Sequence, residues 1–193
     1  LQAFDSAGIR PDIVVGTSMG AFVGAMYCSG YSADSIATII TSLDWSSLFS
    51  NTAQRRTLFV SQKEEPVDHL VELRFDKNLK PILPQSISHG QQLFDNLTPL
   101  LSAAQYHAGG DFSRLSPPLR IVSTDILTGQ TIVLAGGSLP RAVRASSGVP
   151  LAFSPVVEDT MLLMDGGLAA NIPVDAALQA GCDHVIAVDV TSP

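Results

Sequence analysis

Val14-Val15-Gly16-Thr17-Ser18-Met19-Gly20 carries the change of backbone that decides the fold. Ile13-Val14-Val15 is a short β-branched run suited to a buried parallel strand, and the residues from Met19 to Cys28, rich in Ala, Met and Phe and free of proline, read as a helix. Between them Gly16-Thr17-Ser18-Met19-Gly20 fits the G-x-S-x-G pattern, in which a strand turns sharply into a helix and presents a serine at the apex. Glycines on both sides of Ser18 are expected to let the chain fold tightly without a Cβ clash. The first helical turn aims unpaired amides at the hydroxyl, where they stabilise developing negative charge. A pattern with three fixed positions also arises by chance as a glycine-flanked serine cap. Alone it leaves catalysis and capping evenly weighted.

A second stretch, Met161-Leu162-Leu163-Met164-Asp165-Gly166-Gly167, shifts that balance. Four apolar residues read as a buried strand, and the aspartate stands where the chain leaves the sheet. Polar groups at the carboxyl ends of parallel strands line the usual crevice of an open α/β sheet, so Asp165 is expected to face the same crevice as Ser18. The combination suggests a serine hydrolase with two catalytic residues. The competing reading is an Asp-Gly-Gly turn whose carboxylate binds only local amides.

The rest of the chain alternates strands and helices. Strands are expected over 13–15, 119–124 and 130–134 and near Met161 and His184; helices over 19–28, 33–43, 91–107, 139–145 and 174–180. This alternation predicts a largely parallel sheet covered on both faces, with one antiparallel hairpin at Thr128-Gly129. A length of 193 residues with 46% apolar composition fits one α/β domain with a sizeable core.

With both motifs placed, the chain resembles the patatin-like phospholipase family, specifically its bacterial branch. Ala25-Met26-Tyr27-Cys28-Ser29-Gly30-Tyr31-Ser32, Arg144-Ala145-Ser146-Ser147-Gly148-Val149-Pro150 and the block from Asp165 to Asn171-Ile172-Pro173-Val174 agree with it, and the likeness is weakest over 46–89. The resemblance implies an α/β three-layer sandwich with a mostly parallel central sheet. It implies a Ser-Asp dyad, without histidine, metal or cofactor, that cleaves fatty-acyl esters of phospholipids or lysophospholipids. Ser18 is then the nucleophile and Asp165 the general base; Gly16, Met19 and Gly20 form the elbow, with the Met19 amide an oxyanion donor, and Gly166 and Gly167 support the site. Peripheral membrane contact follows from such a substrate, and the bacterial cytoplasm or membrane periphery is favoured over secretion.

The family's glycine-rich oxyanion loop follows a first strand well upstream of the nucleophile. Here Leu1 to Ile9 resembles the later part of the helix after that loop, ending at Gly8. The chain is therefore expected to be a piece of a longer polypeptide, lacking the first strand and the loop. That departure keeps open a non-catalytic lipid-binding or regulatory module, and acyl transfer to another alcohol is a further alternative.

Other residues are weighed against the dyad. Ser18, Asp165 and His184 stand in the chain order of an α/β-hydrolase triad, but His184 is placed at the start of a strand, away from the carboxyl ends where catalytic groups gather. His69, His89 and His107 have no metal-ligand spacing. Cys28 and Cys182 form no disulfide framework. Arg144 reads either as a phosphate ligand or as a partner of helix-end carbonyls. The stretch 44–90 reads as a cap over the crevice, with Trp45, Leu48, Phe49, Leu58 and Phe59 as candidates for an acyl-chain or membrane-facing surface or simply for packing on the sheet. A formal net charge of −7 argues against nucleic acid and against purely electrostatic docking to anionic lipid.

Overall fold

A computed structural model describes residues 1–45, 74–75, 81–82 and 90–190. Helix α1 (Gln2–Ala7) ends at Gly8, whose φ of 68° supplies the left-handed cap that a side chain would resist. Strand β1 (Val14–Thr17) leads through Ser18 into α2 (Met19–Cys28), and α3 (Ala33–Ser42) begins where Ser32 Oγ accepts the Ser35 amide at 3.2 Å. Short strands β2 (Arg74–Phe75) and β3 (Pro81–Ile82) pair with each other. Helix α4 (Gln91–Ala108) is bounded by left-handed Gly90 and Gly109. Then come β4 (Leu119–Asp125), β5 (Gln130–Leu134), α5 (Leu139–Ser146), β6 (Val156–Glu158), β7 (Met161–Asp165), α6 (Gly167–Ala170) and α7 (Val174–Gln179).

Strand β4 organises the sheet, and its alternating side chains show why. Leu119 and Ile121 are fully buried in a core shared with α2, α4 and α5, through Phe22, Met26, Leu97, Leu101 and Val143. Val122 and Thr124 point the other way and are also buried, with α6 packed on β4 and β5. Both faces are therefore covered. At about 1.5–3 kcal/mol for each large side chain fully buried, this central strand and its helices dominate the stability of the fold. No helix among the described residues is long and apolar enough to cross a membrane.

The sheet is mixed, not mostly parallel. Only β1 runs parallel to β4, while β5 and β7 are antiparallel to β4 and β6 is antiparallel to β7. The apolar runs predicted the strands, but apolar content carries no information on direction. The expected hairpin at Thr128-Gly129 is present between β4 and β5, with Gly129 at φ 72°. Strand β6, only three residues long, was not anticipated.

The strand expected near His184 does not form. Residues 185–190 have no regular structure, and Val185, Ile186, Val188 and Val190 are exposed. β-branched residues favour extended backbone, but a strand needs a hydrogen-bonded neighbour, and none of the described residues supplies one here.

Candidate active site

The pairing along β4 positions the site. Thr17 of β1 pairs with Val122, and Asp165 of β7 pairs with Ser123, the next residue. Strand β5 occupies the other edge of β4 over the same residues, so β1 and β7 lie along one edge and approach each other head-on. Ser18 and Asp165 stand at the two tips. The expectation that Asp165 closes a parallel strand is thus replaced by a different geometry: an antiparallel strand arriving from the opposite direction delivers it to the same place.

Ser18 has φ 53° and ψ −116°, a conformation that costs an L-residue on the order of 1–3 kcal/mol. Its surroundings hold it there. The Ser18 amide donates to Ser146 Oγ at 2.9 Å, and the Ser146 hydroxyl in turn donates to the Val122 carbonyl. Ser147 Oγ donates to the Ser18 carbonyl at 3.2 Å, which also accepts the amides of Ala21 and Phe22. Gly148 continues the series, its carbonyl accepting the Asp165 amide at 2.9 Å. Residues 146–148 therefore tie both strand tips together from the end of α5. This role was not read from Arg144 to Pro150, because a serine whose value lies in bonding a residue 128 positions away leaves no local pattern.

The two elbow glycines differ. A Cβ on Gly16 would stand 2.5 Å from the Gly20 carbonyl oxygen, so strand and helix cross too closely for any side chain. A Cβ on Gly20 would meet nothing within 4 Å. The expectation of a steric need on both sides of Ser18 holds for Gly16 only.

Ser18 Oγ donates to Asp165 Oδ2 at 2.7 Å. The other carboxylate oxygen, Oδ1, accepts the Gly167 amide at 2.7 Å, and the residue is only 8% exposed. One oxygen is thereby fixed by backbone, and its partner is turned to the hydroxyl. Gly166 makes the turn between them feasible: a Cβ there would lie 2.3 Å from the Val122 carbonyl oxygen and 3.0 Å from Thr17 Cγ2. Thr17 Oγ1 reaches past it to the Ala170 carbonyl at 3.0 Å, fastening α6 to the elbow. Met19 opens α2, so its amide has no acceptor within the helix and faces the same side as any first-turn donor.

Ser18 borders a cavity of about 200 Å³ lined by Met19, Phe22, Trp45, Leu93, Ser147, Val149 and Phe153. Trp45, weighed from sequence as an acyl-chain or membrane-facing residue or as simple packing, lies in this wall and packs against Phe22 of the core, its indole N–H donating to the Ile40 carbonyl at 3.0 Å. Leu48, Phe49, Leu58, Phe59, His69 and His89, with most of the expected cap, lie outside the described residues. Phe22, Leu93, Val149 and Phe153 were not anticipated as lining, since each also reads as ordinary core.

His184 is exposed in the irregular segment, and no described hydrogen bond joins it to Ser18 or Asp165. Arg144 is 5% exposed; it donates to the Ser154 carbonyl at 2.6 Å and lies over the Phe153 ring. It is a buried cation stacked on one wall of the cavity, and the carbonyl it bonds belongs to a loop rather than to the helix end considered from sequence. Cys28 is buried, and that burial pushes its thiol up to about 12, so it is inert.

A family model described as patatin-like phospholipase matches residues 1–178. Patatin-like phospholipase domain-containing protein 6 of Mus musculus is 30% identical across the whole of this chain. Neuropathy target esterase sws of Drosophila melanogaster is 29% identical, also across the whole chain. An uncharacterized NTE family protein of Mycobacterium tuberculosis is 41% identical over 69 residues, 36% of this chain. The chain spans 12% of the length of the mouse and fly relatives, and the 69 matched residues span 12% of the mycobacterial one.

Proposed function

The chain belongs to the patatin-like phospholipase family, and from that premise we propose that it is a lipid acyl hydrolase in which Ser18 and Asp165 act as a dyad on fatty-acyl esters of phospholipids or lysophospholipids. The observation that carries the proposal is the 2.7 Å bond from Ser18 Oγ to an Asp165 carboxylate whose other oxygen is fixed by the Gly167 amide.

The chemistry follows from that arrangement. As Ser18 Oγ attacks the ester carbonyl carbon, its proton passes to Asp165 Oδ2, and the former carbonyl oxygen takes the negative charge. The Met19 amide, at the positive end of α2, donates to that oxyanion. Collapse breaks the bond to the alcohol, which leaves with the proton from Asp165. Water then adds to the acyl-enzyme by the same route and releases the fatty acid. A carboxylate is a weak base toward a hydroxyl, so preorganisation matters more here than in a triad. The strained elbow and its ties from 146–148 supply it, because the hydroxyl needs no reorientation to meet its base.

The cavity beside Ser18 receives the acyl chain, its wall being mainly apolar. Met19 and Val149, 42% and 44% exposed, line the cavity and present apolar surface to an aggregated neutral lipid. The net charge of −7 supports apolar rather than electrostatic contact.

Fluorophosphonate labelling of the full-length protein tests the reading. The parent is expected to label, and both Ser18→Ala and Asp165→Asn to abolish labelling. A folded parent that stays unlabelled would leave a lipid-binding module as the better account. Product analysis with an added alcohol acceptor separates hydrolysis from acyl transfer.

A further inference from the structure

Arg144 is a charged group that the proposed chemistry does not use, yet it is buried against Phe153, one of the cavity's walls. Its guanidinium carbon lies 5.1 Å from the centroid of the Phe153 ring, within range of a cation–π contact. The same group donates to the carbonyl of Ser154, the next residue, at 2.6 Å, which fixes the backbone that carries the ring. Two glycines make room for it. A Cβ on Gly90 would stand 2.1 Å from Arg144 Nε, and one on Gly148 would stand 3.0 Å from Nη1.

These neighbours bear on the cavity or on the strand tip beside it. Phe153 is one wall. Gly90 caps α4, whose Leu93 is another. Gly148 belongs to the tie on Asp165. Burial lowers the proton affinity of the guanidinium, a mark of what desolvating this charge costs. An apolar side chain would fill the volume without that cost, but could neither stack as a cation on the ring nor donate to the carbonyl beside it.

We propose that Arg144 is a positioning residue for acyl-chain selection: its guanidinium holds Phe153 in place as a cavity wall, so that long acyl chains, which reach that wall, depend on it and short ones do not. The inference rests on the acyl-hydrolase reading for its substrate, but its test does not depend on turnover alone. Trp45 is the chain's single tryptophan and lines the same cavity, so its fluorescence reports occupancy.

The experiment has two arms. In a Ser18→Ala background, dodecanoate is titrated against the part of the tryptophan fluorescence change that Trp45→Phe removes; in the active protein, kcat and KM are measured for p-nitrophenyl butanoate and dodecanoate. Arg144→Met is expected to weaken dodecanoate binding about tenfold and to raise KM for the long ester by a similar factor, with kcat and the short ester unchanged. Phe153→Leu is expected to weaken dodecanoate binding and raise KM for the long ester likewise, and the double variant to do so no more than either alone, because both remove one contact. Arg144→Lys, which keeps the charge, is expected to recover part of the loss. If Arg144→Met does not fold, Phe153→Leu and Arg144→Lys carry the comparison. The inference is overturned if long and short esters fall together in folded Arg144 variants, if the two substitutions add, or if dodecanoate leaves the parent's fluorescence unmoved. An Arg144-dependent titration in a protein that cleaves neither ester would uphold the inference and sink the hydrolase reading instead.

Discussion

Ser146 accepts the backbone amide of Ser18 at 2.9 Å while donating its own hydrogen to the Val122 carbonyl. A single buried hydroxyl thus satisfies a donor on one strand tip and an acceptor on the strand beneath it. Replacing it by alanine leaves both unpaired. Ser146→Ala is expected to destabilise the fold by about 1–3 kcal/mol and to slow fluorophosphonate labelling at least tenfold, with Ser18 and Asp165 intact. Urea unfolding and labelling rate check the two effects separately; an unchanged labelling rate would show that the elbow holds its shape without this tie.

The elbow conformation has a measurable cost. Ser18 sits at φ 53°, where glycine is at ease and an L-residue is not. Ser18→Gly is therefore expected to abolish labelling while raising stability by about 1 kcal/mol relative to Ser18→Ala, a shift of roughly 2–4 °C in Tm for a domain of this size. Thermal melts of the two variants decide it, and equal melting points would mean that the strain is small.

Three glycines around the Ser18–Asp165 pair are expected to respond differently to alanine. Gly166→Ala would force a methyl group against the Val122 carbonyl oxygen and Thr17, and is expected to prevent normal folding or expression. Gly16→Ala would collide with the Gly20 carbonyl and behave alike. Gly20→Ala meets open space inside a helix, so it is expected to fold and to gain about 0.5–1 kcal/mol. Circular dichroism on the purified variants distinguishes them; loss of fold in Gly20→Ala would contradict the geometry.

Asp125 supplies a pH dependence. The Thr128 hydroxyl, with the amides of Leu162, Leu127 and Thr128, holds its carboxyl below the usual aspartate value against the opposing effect of burial. A carboxyl whose folded value is depressed contributes stability that is complete above its unfolded value, about 3.9, and that fades as pH falls through the lower folded value. Asp125→Asn is expected to be less stable than the parent at neutral pH, with the gap closing below about pH 4. Unfolding free energies measured across that range check the sign, and a gap that widens on acidification would refute it.

Much of this was legible in the sequence, and the exceptions have physical causes. The helix Met19–Cys28 and strand β5 appear over the expected residues, because apolar periodicity and turn residues are local signals. Ser18 and Asp165 were paired from two motifs, each of which marks a chain leaving a sheet. Strand direction was not legible, since Met161-Leu162-Leu163-Met164 would read the same running either way. Ser146 and Phe153 were not assigned roles because their partners are remote in the chain. The apolar run after His184 shows the reverse error, a strong local preference without the neighbour that would realise it.

The head-on meeting of β1 and β7 along β4 makes the proposed dyad a gauge of alignment. Sliding β7 by one residue would move Asp165 about 3.3 Å along the edge and turn its side chain to the opposite face of the sheet. Such a slip would leave every strand present and most of the core filled, yet no carboxylate would meet the hydroxyl. Variants that loosen the grip of β4 on either strand should therefore fall silent before they unfold, and reactivity at Ser18 should report the fidelity of strand placement more sensitively than any measure of secondary structure.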